Sequence, residues 1–111
     1  MRPPEGIRVL TRGAWQAEGE RRFGPDMRAW QFVCPNCGHV AAVADFMPFR
    51  HLGADENAAT CACIGLYAGV KDGAPRPCRY SAWGPGPRLC AVRILIDDRV
   101  TVPCFAFAEP R

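Results

Sequence analysis

Lysine, long apolar segments and the familiar motifs of enzymes are nearly or wholly missing from this chain. Lys71 is the single lysine beside 13 arginines, and 11 acidic residues leave a formal charge of only +3. A charge this small does not indicate a general binder of polyanions. No run approaches the ~20 apolar residues of a membrane-spanning helix, and the first residues do not resemble a secretory signal. We therefore expect a cytoplasmic protein without a membrane partner.

The motifs that mark common enzyme classes are missing too. The sequence has no Walker loop, no dinucleotide-binding fingerprint, no nucleophile elbow and no His-x-Glu pair of the deaminase type. The available acids and bases, among them Asp45, His51, Glu56 and the pair Asp97-Asp98, have no recognisable catalytic spacing. We expect a protein that is not an enzyme.

Seven cysteines are the most informative residues that are present. In a reducing compartment they favour metal binding over disulfides. Cys34-Pro35-Asn36-Cys37-Gly38 is typical of a zinc knuckle, because a tight turn lets two thiols reach one ion and Gly38 can adopt the positive φ that the turn needs. A redox Cys-x-x-Cys is the alternative, but redox motifs normally open a helix. Gly38-His39-Val40 is a poor helix start.

The other ligands of such a site must come from further cysteines or histidines. The candidates are Cys61, Cys63, Cys78, Cys90, Cys104, His39 and His51. Cys61 and Cys63 would point the same way on an extended chain and could compete for one coordination position. Cys90 and Cys104 lie on the two arms of a predicted hairpin and could face each other, although buried free thiols are common in cores.

Turn and periodicity signals predict a small α+β domain with an N-terminal helix. Thr11 is predicted to cap a helix that runs to about Phe23, and Gly24-Pro25 to end it. Strands predicted at 30–33 and 39–43 flank the knuckle, which is the first half of a zinc ribbon.

The later elements are predicted to be short. One or two helical turns are expected at 55–60, followed by a hairpin with arms at 89–96 and 100–107. With 11 glycines and 11 prolines in 111 residues, long regular structure is not expected. We expect one zinc-binding domain over residues 1–111, with a short flexible N-terminus at 1–7.

Several of these motifs together resemble a known family. They are Arg21-Arg22-Phe23-Gly24, Phe32-Val33-Cys34-Pro35-Asn36-Cys37-Gly38-His39, Asp45-Phe46, Cys63-Ile64-Gly65, Pro77-Cys78 and Phe105-Ala106-Phe107-Ala108-Glu109. The chain is similar to an uncharacterised family of small zinc-ribbon-like proteins with a Cys-Pro-x-Cys-Gly motif, found largely in bacteriophage and in bacterial, often actinobacterial, genomes. The resemblance implies that Cys34, Cys37, Cys63 and Cys78 form one Zn²⁺ shell.

The leading functional hypothesis is a non-enzymatic, zinc-stabilised binding module that docks on a host or phage protein. The resemblance implies only its origin, in a phage or mobile element and so in the bacterial host cytoplasm. A component of a defence system is one possible partner. The first alternative is a nucleic-acid-binding accessory protein, because one segment interleaves arginines and aromatic rings: Arg76, Arg79, Tyr80, Trp83 and Arg88. The second alternative is a thiol-disulfide redox protein acting through Cys34 and Cys37.

Overall fold

The computed structural model describes residues 8–70, 73, 76–82 and 90–109. Within them the chain forms short helices and two small three-stranded sheets, which confirms the predicted α+β class. The predicted flexible segment at 1–7 lies outside the described residues. No helix among the described residues has the length and apolar character needed to cross a membrane.

The first sheet pairs a strand from the N-terminal part of the chain with two strands from the C-terminal part. Its strands, in spatial order, are β1 (Arg8–Thr11), β4 (Val92–Asp97) and β5 (Val100–Cys104). The β4–β5 hairpin is antiparallel and turns at residues 98–99, as predicted. Strand β1 was not predicted, and it pairs with β4 in parallel.

The second sheet carries the knuckle. Its order is β3 (Val40–Ala42), β2 (Gln31–Val33) and β6 (Ala106–Phe107), all antiparallel. The prediction of one continuous strand at 100–107 is wrong, because this segment forms two strands, β5 and β6. Phe105 separates β5 from β6, because its side chain is buried and its N–H donates to the carbonyl of Thr60 at 2.7 Å. The chain thereby leaves one sheet and joins the other.

Helix α1 (Arg12–Phe23) begins and ends as predicted. The Thr11 side chain accepts a hydrogen bond from the Ala14 N–H at 3.1 Å, and Gly24 follows the last helical residue with φ +91°. Trp15 on this helix packs edge-on against Trp30 and stacks on Phe107 of β6. The helix is thus anchored to the sheet that carries the knuckle.

The remaining helical elements connect the two sheets. They are a 3₁₀ turn (Met27–Ala29), a longer 3₁₀ segment (Val43–Leu52), α2 (Ala58–Cys61) and α3 (Gly65–Ala68). Helical turns were predicted at 55–60, and the observed helix begins later, at Ala58. The longer 3₁₀ segment contains Pro48 and a kink at Phe49. It is terminated by Gly53, which adopts the left-handed conformation.

Candidate metal centre

Four cysteine sulfurs meet at one place in the fold. The Sγ atoms of Cys34, Cys37, Cys63 and Cys78 all lie within 4.8 Å of one another. Two of the pairs, Cys34 with Cys78 and Cys37 with Cys63, are separated by 3.7 Å. Four sulfurs placed at about 2.3 Å from a central ion, at the corners of a tetrahedron, are about 3.8 Å apart. The cluster can therefore bind one metal ion with all four thiols.

The turn between β2 and β3 positions the first two sulfurs. The N–H of Cys34 donates to the carbonyl of His39 at 2.9 Å, and the N–H of Gly38 donates to the carbonyl of Cys34 at 2.8 Å. Gly38 has φ +81°, the positive value expected from the sequence. The backbone N–H groups of Asn36 and Cys37 point at the Cys34 sulfur. The tight turn therefore directs these N–H donors, as well as the two cysteine sulfurs, toward the cluster.

A second pair of chain segments positions Cys63 and Cys78. Ala62 and Ser81 form an antiparallel bridge, and the N–H of Cys63 donates to the carbonyl of Tyr80 at 3.0 Å. The N–H of Cys78 donates to the Cys63 sulfur at 3.3 Å. Backbone pairing therefore brings these two cysteines together without help from an ion.

Hydrogen bonds from outside the four cysteines also reach the sulfurs. The side-chain amide of Asn36 donates to the Cys78 sulfur at 3.4 Å. The backbone N–H of Gly65 points at the Cys63 sulfur and that of Tyr80 at the Cys78 sulfur. Such donors stabilise thiolates. The sequence analysis did not identify Asn36 as a hydrogen-bond donor to the cluster. Its position inside the Cys-x-x-Cys turn could have indicated this role.

Gly65 is the second residue whose role at the cluster the sequence analysis did not identify. A β-carbon at this position would lie 2.9 Å from the carbonyl carbon of Cys78 and closer still to its oxygen. The two segments can approach this closely only because residue 65 has no side chain. The glycine in Cys63-Ile64-Gly65 therefore has a packing role next to the metal site.

The thiols differ in acidity before metal binding. Burial raises the pKa of Cys34 to about 12, and burial also raises the pKa of Cys63. Burial acts in the same direction on Cys78, but hydrogen bonds from Asn36, the Tyr80 backbone and neighbouring thiols outweigh it and lower its pKa to about 7. The two most buried sulfurs of the cluster are consequently poor nucleophiles at neutral pH unless a cation stabilises their thiolates.

Cys61 lies outside the cluster and Cys63 inside it. The prediction that the two would compete assumed an extended chain, whereas Cys61 is the last residue of α2. Its sulfur donates to the Asn57 carbonyl at 3.5 Å, in the manner of a helical side chain. The helix thus turns Cys61 away from the position that Cys63 occupies.

The remaining candidate ligands also lie outside the cluster. All seven cysteines belong to the described part of the chain, and none forms a disulfide. Cys90 and Cys104 are each only 1% exposed. The Tyr80 hydroxyl lies 3.7 Å from the Cys90 sulfur, and the Cys104 thiol donates to the Phe105 carbonyl at 3.3 Å. These two cysteines are core residues. His39 is half-buried and His51 exposed, and neither joins the four thiols.

The predicted nucleic-acid segment is only partly described. Arg76 and Arg79 are exposed. The Tyr80 ring stacks on Phe105 with centroids 5.7 Å apart, so one of its faces is already occupied. Trp83 and Arg88 lie outside the described residues.

Comparison with known proteins identifies the family. A family model described as VVA0879-like matches residues 11–108. The match spans nearly the whole chain, and the protein belongs to this family. Neither a curated protein nor a solved structure matches the chain significantly.

Proposed function

We propose that this protein is a non-enzymatic binding module whose fold is held by one structural Zn²⁺ ion. The observation that carries the proposal is the set of four converging thiols, Cys34, Cys37, Cys63 and Cys78. Four thiolates complete a tetrahedral shell and leave no position for water or substrate, which is the arrangement of structural zinc sites. An all-sulfur donor set also favours zinc over hard cations such as Mg²⁺ or Ca²⁺.

The ion would supply a cross-link between distant parts of the chain. The close sulfur pairs join residues 44 and 26 positions apart in sequence. A small domain gains most from such a link, because its apolar core offsets little more than the chain entropy. The free energy of metal binding then contributes directly to folding.

The binding partner is proposed to be a protein. The support is the cluster of four thiols, which would leave no open coordination position for catalysis, together with the resemblance to phage and bacterial proteins. We propose that the protein is encoded by a phage or mobile element, acts in the bacterial cytoplasm, and docks on a host or phage protein such as a defence component.

Metal analysis of freshly purified protein tests the zinc proposal. We expect about one zinc per chain and a large drop in melting temperature on addition of a strong chelator. Metal-free protein with reactive thiols at Cys34 and Cys37 would instead support the thiol-disulfide alternative. Nucleic-acid binding is tested by electrophoretic shift at two salt concentrations, since phosphate contacts give a steep dependence on salt. The binding-module proposal predicts no such shift.

A further inference from the structure

An apolar groove lies between the two 3₁₀ elements, on residues other than the four clustered cysteines. It has a volume of about 660 Å³, within the range of about 300–1,000 Å³ that is usual for ligand-binding pockets. Its apolar lining consists of Met27, Val43, Phe46, Met47 and Ala54. Phe46 is 2% exposed, whereas Met47 is 42% exposed. The groove therefore has a rigid aromatic base and an adaptable thioether at its surface.

Charged side chains line the rim of the groove, and only some of them are paired. Arg28 is held by two hydrogen bonds to the Asp26 carboxylate, at 3.1 and 3.0 Å. Among the described residues, Arg50 and Glu56 form no ion pair, and the Asp55 carboxylate accepts a hydrogen bond only from the backbone N–H of Asn57. The rim consequently offers one cation and two anions to a ligand.

We propose that this groove binds a peptide segment of the partner protein. The segment would carry one large apolar side chain with a basic residue on one side and an acidic residue on the other. The apolar side chain packs on Phe46 and Met47, the acidic residue pairs with Arg50, and the basic residue pairs with Asp55 or Glu56. This inference rests on the proposed function as a binding module and names the surface and the partner chemistry.

Two features favour a peptide as the occupant. A ligand that pairs with both Arg50 and the Asp55–Glu56 pair must carry both signs of charge as well as an apolar group, and a short stretch of polypeptide does so readily. Methionines at a half-open surface suit peptide binding, because their flexible side chains repack around different apolar groups. Charge complementarity thus specifies a sequence pattern that can be tested.

The test is selection of a random 12-residue peptide library on the zinc-loaded full chain. We expect the enriched peptides to share the pattern of a large apolar residue between a basic and an acidic residue. Met47→Asp should weaken their binding on the order of tenfold or more, because it places a charge where the apolar side chain packs. Leu52→Asp is the matched control, since Leu52 lies on the same 3₁₀ segment, is 55% exposed and does not line the groove. It should leave the affinity unchanged.

A charge exchange tests direct contact. Arg50→Glu should weaken the selected peptides by about tenfold, and replacing their acidic residue with lysine should restore binding. Zinc content and melting temperature of each variant show whether the fold is intact.

Three results would overturn the groove proposal. They are enriched peptides without the charge pattern, no enrichment at all, and binding that Met47→Asp leaves unchanged. A concentration-dependent dimer that Met47→Asp abolishes would assign the groove to a second copy of this chain and overturn the peptide partner. Failure of the proposed function would appear separately, as purified wild-type protein without zinc.

Discussion

Substitution of Gly65 by alanine separates backbone preference from packing at the metal centre. Gly65 is the first residue of α3, and its φ lies outside the positive range that disfavours side chains. Backbone preference alone predicts that alanine stabilises the helix, by up to about 1 kcal/mol. The added β-carbon, however, would lie 2.9 Å from the carbonyl carbon of Cys78. The neighbour is backbone, which cannot rotate aside, so Cys78 must move.

We expect the packing effect to dominate. Overpacking of this kind costs about 1–3 kcal/mol, which exceeds the gain in helix propensity. The displaced group also carries a sulfur of the cluster, and disturbing the residues that orient metal ligands usually lowers metal affinity about 10–100-fold. Gly65→Ala should therefore weaken zinc binding although residue 65 supplies no ligand.

Competition with a chromophoric chelator measures the affinity, and chemical denaturation of the zinc-loaded protein measures the stability. The matched control is Gly13→Ala in α1, where a β-carbon meets no atom within 4 Å. This control should leave zinc affinity unchanged and raise stability by about 0.5–1 kcal/mol. If Gly65→Ala behaves like Gly13→Ala, the close contact with Cys78 does not exist and the derived geometry of the site is wrong.

Three further substitutions test other parts of the structure. Cys78→Ser should remove most zinc binding and unfold the domain or greatly lower its melting temperature, because metal binding energy is folding energy here. Gly19→Ala should destabilise by about 1–3 kcal/mol, since its β-carbon would lie 2.5 Å from the nearest atom of the Trp30 ring. Denaturation followed by tryptophan fluorescence measures this loss. Glu18→Gln should cost about 1 kcal/mol in a denaturant titration, because Glu18 lies 3.5 Å from the guanidinium of Arg22, which is only 19% exposed.

Each of these substitutions has a control or a contrary outcome. Cys90→Ser should retain zinc and melt close to wild type, since Tyr80 can bond the new hydroxyl; equal losses in Cys78→Ser and Cys90→Ser would remove the support for the ligand set. Gly13→Ala again serves as the control for Gly19→Ala, and an equal gain in both would contradict the packing of α1 on Trp30. A Glu18→Gln variant that loses no stability at low salt would show that the ion pairs of Glu18 with Arg8, Arg21 and Arg22 together contribute nothing.

Local signals allowed the knuckle and its surroundings to be predicted. The cap at Thr11, the stop at Gly24 and the positive φ of Gly38 depend on neighbouring residues, and each was predicted correctly. The hairpin β4–β5 was also predicted, since its two arms adjoin one turn. These features are fixed by short-range stereochemistry.

Features that depend on distant residues could not be predicted. Strand β1 exists because Arg8–Thr11 pairs with Val92–Leu95, far along the chain, and its own four residues carry no clear alternation. The change of sheet at Phe105 depends on the carbonyl of Thr60, and the position of Cys61 on a helix depends on the later start of α2. The proximity of Gly65 to Cys78 likewise appears only when two remote segments are brought together.

X-ray absorption at the zinc edge of the purified, zinc-loaded protein reports the number and kind of atoms that bind the ion. We expect one zinc per chain with four sulfur neighbours at about 2.3 Å and no nitrogen or oxygen ligand. A mixed shell containing nitrogen or oxygen, or protein that binds no zinc while it remains folded, would show that the four-thiol zinc site is wrong.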